Sequence, residues 1–158
     1  MPEKVYVSYT DIHNEVVDYA NIIKDNNVNY DMIIALARGG SLIGTILSHA
    51  LDTPVKIVEY SSIFGQGETK HAYNANLPKL KPHQHLLVVD DICDSGHTLQ
   101  EVMEHYEADG HVVNTYAVYF REHEHFVHTP NHSYVIEDDA WIVFPFEHSE
   151  KIGTSYVL

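Results

Sequence analysis

An α/β fold, a parallel twisted sheet flanked by helices, is what three features of this sequence predict. Short runs rich in β-branched and aliphatic residues alternate with longer segments whose apolar residues recur at helical spacing. Two of these runs lead into small-residue bends that open a helix, Arg38-Gly39-Gly40-Ser41 and Asp94-Ser95-Gly96-His97-Thr98. Strands joined through helices pair in parallel, which sends every strand-to-helix bend to one edge of the sheet, where such folds gather their ligands.

Residues 8–25 form the first helix: Ser8 or Thr10 can cap it, Ile12, Val16, Tyr19 and Ile23 repeat along one face, and Asp25-Asn26-Asn27 ends it. Met32 to Ala37 is a short apolar strand; the Arg38 bend follows it, then a helix carrying Leu42, Ile46, Leu47 and Leu51. Pro54 to Tyr60 is a second strand, rich in β-branched residues. Residues 61–84, with Gly65, Gly67, Pro78 and Pro82, make a polar connection of a length more often found in a functional lid than in a linker. Leu86 to Val89 has the composition of a buried strand and meets the acids Asp90, Asp91 and Asp94 before the bend at Ser95. Thr98 enters a helix marked by Leu99, Val102, Met103 and Tyr106. Asp109-Gly110 turns the chain into a strand at 111–120, Glu122 to His132 is a polar loop, and Ser133 to Ile136 is a further strand. No repeat, low-complexity tract or linker interrupts residues 1–158, which read as a single domain.

Composition narrows the function. With 44% hydrophobic and 20% charged residues the chain is globular and soluble, not disordered. No apolar run approaches the roughly 20 residues that span a bilayer, and Met1-Pro2-Glu3-Lys4-Val5 lacks the features of a signal peptide. The lone Cys93 excludes an intramolecular disulfide, so a cytoplasmic protein with no membrane partner is expected. Between Ile92 and Asp94, Cys93 can be read as a catalytic thiol or as a packing residue. A formal net charge of −14 argues against nucleic acid as a partner, and it disfavours a polyanionic substrate unless metal ions and a few placed cations offset the field. His123, His125 and His128, interleaved with Glu122 and Glu124, read as an exposed polar loop in preference to a zinc site, because alternate residues share a face only in a strand and no cysteine joins them.

A strand that runs through a small-residue bend into a helix presents free N–H groups and the positive end of the helix dipole, a cradle for phosphate. Ser95, Gly96, His97 and Thr98 offer one such cradle, while Asp90, Asp91 and Asp94 before it suit sugar hydroxyls, a divalent metal or a basic leaving centre. Arg38, Gly39 and Gly40 offer a second: two glycines admit a ligand close to the backbone, and the guanidinium fork matches a pair of phosphate oxygens.

The stretch Val88-Val89-Asp90-Asp91-Ile92-Cys93-Asp94-Ser95-Gly96-His97-Thr98 resembles the ribose-phosphate signature of the type I phosphoribosyltransferases. Ala35-Leu36-Ala37-Arg38-Gly39-Gly40, followed by Ile43-Gly44, resembles the pyrophosphate loop of the bacterial xanthine-guanine (6-oxopurine) members. This resemblance implies the fold of that family, with a lid at about 61–84 and a small C-terminal hood at about 138–158. It implies purine salvage: ribose 5-phosphate passes from phosphoribosyl pyrophosphate to guanine, xanthine or hypoxanthine, and pyrophosphate is released. On the same basis Asp94 is the general base facing purine N7, Asp90 and Asp91 bind the ribose hydroxyls, and Asp91 helps hold Mg²⁺ directly or through water. Ser95 to Thr98 would take the 5′-phosphate, and Arg38, Gly39 and Gly40 the pyrophosphate. Ser61 opens the lid; Lys70 reaches the pyrophosphate on closure, a solvated loop lysine being the alternative. Trp141 stacks on the base beside the backbone of Ile142, with a core tryptophan as the alternative. Where 6-oxopurine enzymes place a lysine, this chain has Tyr119-Phe120-Arg121, and Arg121 stands in as the donor to a base carbonyl. A homodimer or homotetramer is implied as well. The rival readings are a phosphoribosyltransferase for adenine or a pyrimidine, and a non-catalytic regulator that binds phosphoribosyl pyrophosphate.

Overall fold

In the computed structural model the described residues are 3–60, 77–122, 126–136 and 140–147. They form, in chain order, β1 (Glu3–Tyr6), α1 (Tyr9–Asp25), β2 (Met32–Ala37), α2 (Gly40–Leu51), β3 (Val55–Glu59), β4 (His85–Cys93), α3 (His97–Ala108), β5 (Val112–Arg121), β6 (His132–Ile136), β7 (Ala140–Val143) and a 3-10 turn at Pro145–Glu147. Five strands pair in the order β3-β2-β4-β5-β6, every pair parallel.

Side-chain alternation along the strands separates two apolar layers. Ile33, Ala35, Leu87 and Val89 face α1 and α2, where Ile12, Val16, Tyr19, Ile43 and Leu47 meet them. Ile34, Leu36, Leu86 and Val88 face the opposite side and pack on Leu99, Val102 and Tyr106 of α3. The central strands β2, β4 and β5 are covered on both faces, which is why they read as continuous apolar runs and not as alternating ones.

Local sequence accounts for the helices. Ser8 Oγ accepts from the Asp11 N–H at 3.0 Å while Asp11 Oδ2 accepts from the Ser8 N–H at 2.8 Å, a closed capping box at the head of α1. Helix α2 packs closely on β2 because Gly44 faces Ala35 without a side chain in between. Of the stretch expected as a lid, residues 77–84 are described, and Leu77 and Leu80 pack on the α3-side core. Pro78 accepts there from the Tyr106 hydroxyl at 3.1 Å.

Two features depart from the sequence reading. Strand β4 does not stop at Val89: its ladder with β5 continues through Asp90↔Ala117 and Ile92↔Tyr119 to Cys93↔Phe120. Asp90 and Asp91 therefore stand in the sheet, because the backbone pairing with β5 does not depend on side-chain polarity. Strands β1 and β7 form a separate two-stranded parallel sheet, Glu3↔Ala140 to Tyr6↔Val143. Four residues each leave no periodicity to read. This pairing brings the tail back to the main sheet, where Ile142 and Phe144 join the α1 and α2 side of the core. Among the described residues no helix is long and apolar enough to cross a membrane.

Gly44→Ala tests the helix–sheet contact. Its methyl group collides with the Ala35 side chain and lies 3.3 Å from Val55 Cγ2. Overpacking of this kind lowers unfolding free energy by about 1–3 kcal/mol, seen as a lower urea midpoint at unchanged slope.

Candidate functional site

Strands β2 and β4 are adjacent and parallel, with Ala35 level with Val89. The bends that follow them consequently emerge side by side. Their contact is direct: the position a Cβ on Gly39 would take is filled by the Asp91 carboxylate, and a Cβ on Gly40 would lie 2.7 Å from the Val89 carbonyl oxygen. The Ala37–Arg38 peptide is cis, and the Arg38 side chain is exposed. Helix α2 starts at Gly40 and α3 at His97, so both N-termini open on this edge. Gly96 holds a left-handed φ of 85°, which turns the chain from β4 into α3, and the His97 N–H donates to Ser95 Oγ at 3.4 Å.

The acids sit between the two bends. Asp90 Oδ1 accepts from the Asp91 N–H and Asp91 Oδ1 from the Ile92 N–H, each at 2.8 Å. Burial, and then the neighbouring Asp91 carboxylate, hold the Asp90 carboxyl well above the usual carboxylate range. Asp94 is exposed in the turn between β4 and α3. Cys93 is buried and its thiol donates to the His128 carbonyl at 3.7 Å. Burial, then Asp90 and Asp94, push that thiol up to about 12, so it acts as a packing residue and not as a nucleophile. Among the described residues no group of three or more His, Cys, Asp or Glu is placed to hold a metal ion. A hard cation held by one or two carboxylates and completed by ligand oxygens and water, the usual situation of Mg²⁺, is what the aspartate pair fits.

At the far side of the edge, β5 ends at Arg121. Its guanidinium carbon lies 5.9 Å from the centre of the Trp141 ring. Arg121 Nε is buried with no hydrogen-bond partner among the described residues. Trp141 is 53% exposed, which removes the core-tryptophan alternative, whereas the Ile142 side chain is 6% exposed and belongs to the core. The strand that carries the ring is held there by β1, through Lys4↔Trp141 and Val5↔Ile142. That contribution of the N-terminal strand was invisible in the sequence.

The edge therefore brings together Arg38, Gly39, Gly40, Asp90, Asp91, Asp94, Ser95, Gly96, His97 and Thr98, with Arg121 and Trp141 joined at its end. Ser61, Lys70, His123 and His125 lie outside the described residues. His128 is described, and its Nε2 is 2.8 Å from Thr115 Oγ1. The segment around it packs on the Ser95–Gly96 bend, since the Val127 N–H donates to the Ser95 carbonyl at 2.7 Å. Its polar composition predicts only a solvated loop, so nothing in the sequence marked this contact.

The phosphoribosyl transferase domain family matches residues 8–151. Among solved structures, a purine phosphoribosyltransferase from Pyrococcus horikoshii is 28% identical with a TM-score of 0.76, over 91% of this chain and 94% of that one. The xanthine-guanine-hypoxanthine phosphoribosyltransferase of Helicobacter pylori is 19% identical with a TM-score of 0.79, over 98% and 100% of the two chains. A Neisseria gonorrhoeae protein with bound ppGpp is 21% identical with a TM-score of 0.72, over 93% and 90%. A comparison with curated protein sequences gave no match.

The aspartate pair makes a stability prediction. Because the folded Asp90 carboxyl is raised above its unfolded value, its charge costs stability at neutral pH. Asp90→Asn should therefore stabilise the fold by about 1 kcal/mol at pH 7.5, the usual scale for relieving active-site strain. The gain should fade as pH drops through the ordinary carboxylate pKa of about 3.9, below which Asp90 is neutral in both states. Urea unfolding at the two pH values measures it.

Proposed function

Since the chain belongs to the phosphoribosyl transferase family, we propose that it is a purine salvage enzyme that moves ribose 5-phosphate from phosphoribosyl pyrophosphate to a 6-oxopurine. The observation that carries this reading is the contact of the two bends through Gly39 and Asp91. It supports one ligand that spans both bends with its sugar over the aspartates. The Ser95–Thr98 bend takes the 5′-phosphate through backbone N–H groups and hydroxyls, and Arg38, Gly39 and Gly40 take the pyrophosphate. Asp90 and Asp91 face the ribose hydroxyls and stabilise the positive charge that develops on the sugar. Asp91 would help hold Mg²⁺, which neutralises the pyrophosphate charge when bound.

As the C1′–pyrophosphate bond breaks, its electron pair leaves with pyrophosphate and the purine N9 lone pair forms the new bond to C1′. The Asp94 carboxylate takes the proton from N7. Ser61 and Lys70 are proposed for the lid that excludes water, with Lys70 on the pyrophosphate.

The base is read from Arg121 and Trp141, with the Ile142 backbone beside them. A guanidinium has donors only. A ligand that satisfies it must offer an acceptor there, as the O6 of guanine, xanthine or hypoxanthine does and the amino group of adenine does not. The exposed Trp141 ring supplies a stacking surface. The edge strand β3, with Ile57 54% exposed, supports assembly into a homodimer or homotetramer. We assign the enzyme to the cytoplasm.

Pyrophosphate release measured with phosphoribosyl pyrophosphate, Mg²⁺ and a panel of bases tests the proposal. Guanine, xanthine or hypoxanthine should support release, and adenine and uracil should not. Asp94→Asn should lower kcat by about 10²–10⁴-fold, the range for a lost general base. Arg121→Met should lower kcat/KM for the 6-oxopurine by about tenfold or more, as expected when one charge-assisted hydrogen bond is removed. Release with adenine or uracil alone would overturn the base assignment, and release with none of the bases would overturn the enzyme assignment.

A further inference from the structure

The geometry points to His128 as a positioning residue for the phosphate-holding bend, acting through the loop 126–131 that straps the bend from outside the sheet. The inference rests on the Ser95–Thr98 bend being the 5′-phosphate site. Four contacts carry it. The Val127 N–H donates to the Ser95 carbonyl at 2.7 Å, so the strap takes hold of the bend's backbone directly. Gly96 is pressed against His128: a Cβ there would lie 2.6 Å from its carbonyl oxygen and 2.8 Å from its N and Cβ. Cys93, the last residue of β4, donates its thiol to the same carbonyl at 3.7 Å. The ring reaches in the opposite direction, with Nε2 2.8 Å from the fully buried Thr115 Oγ1 on β5.

The strap is anchored beyond the ring as well. The Asn131 N–H donates to the Thr115 carbonyl at 2.9 Å, and Asn131 Oδ1 accepts from the Thr115 N–H at 2.7 Å. The Thr115 hydroxyl donates to Asn131 Oδ1 at 3.4 Å, which leaves its oxygen to accept from His128 Nε2–H. Burial lowers the pKa of the His128 ring against the pull of Glu104, so the ring is neutral at neutral pH. His128 thus links a buried hydroxyl of the sheet to the backbone of the bend. Gly96 is needed for its left-handed turn and also for the room that the strap occupies.

A positioning role differs from a merely structural one in which substrate it affects. His128→Ala should raise KM for phosphoribosyl pyrophosphate about tenfold, the effect of one lost buried hydrogen bond, with kcat and the KM for the base within about twofold. His128→Gln keeps an N–H donor near the Nε2 position and should restore most of the loss. Thr115→Val keeps the volume of the core, removes the anchor of the ring and should reproduce the KM shift; it also decides the matter if His128→Ala does not fold. An unchanged KM in both variants, or equal rises for both substrates, would overturn the inference. Titration calorimetry of ribose 5-phosphate on the same variants separates the two levels: if wild-type protein releases no pyrophosphate with any base, the proposed function fails, while the strap stands or falls on whether the variants weaken ribose 5-phosphate.

Discussion

Gly39 leans on the Asp91 carboxylate with no room for a methyl group between them. The proposed function depends on that contact, because it fixes how far apart the two strand-to-helix bends stand. The contact follows from topology. With β2 and β4 paired in parallel and no strand between them, the residues after each are forced to the same edge, one strand spacing apart. Two helices then begin there, and their N-terminal ends offset the charge of the acids that β4 carries into the gap. A protein with a formal net charge of −14 can in this way present a local surface fit for phosphate. The half-buried aspartate pair is a cost to the fold that serves the site.

Successive strands divide the work. The β2 bend, the β4 bend and the end of β5 offer in turn a guanidinium with close backbone, a carboxylate row with a helix N-terminus, and a second guanidinium beside an aromatic ring. In the proposed function these zones take, in the same order, the leaving pyrophosphate, the sugar with its phosphate, and the incoming base. The last of these zones is completed from the other end of the chain: Trp141 stands over Arg121 because β7 pairs with β1, and Ile142 and Phe144 anchor that small sheet in the core.

What could be read from the sequence was whatever depends on neighbours in the chain. Ile12, Val16, Tyr19 and Ile23 announce α1 by their spacing, Met32 to Ala37 coincides with β2, and the glycines at 39, 40 and 96 sit where backbones approach or turn. What escaped depends on partners far along the chain. Strands β1 and β7 are too short for a pattern, and β1 is exposed throughout. The continuation of β4 through Asp90 and Asp91 is dictated by β5 and not by hydrophobicity. Trp141 was ambiguous because an aromatic suits both a core and an exposed face, and its exposure follows from the placing of β7 beside β1. Residues 126–131 looked like a solvated loop, since a polar composition does not reveal that the Val127 N–H is spent on Ser95, the His128 carbonyl on Cys93 and the Asn131 N–H on Thr115.

Titration calorimetry in the presence of Mg²⁺, with pyrophosphate and ribose 5-phosphate as separate ligands for the wild-type chain and Arg38→Ala, tests most directly whether two bends make one site. The two ligands should bind together, and Arg38→Ala should weaken pyrophosphate about tenfold, the effect of a lost charge-assisted hydrogen bond, while leaving ribose 5-phosphate unchanged. Mutual displacement of the two ligands, or pyrophosphate binding indifferent to Arg38, would contradict it.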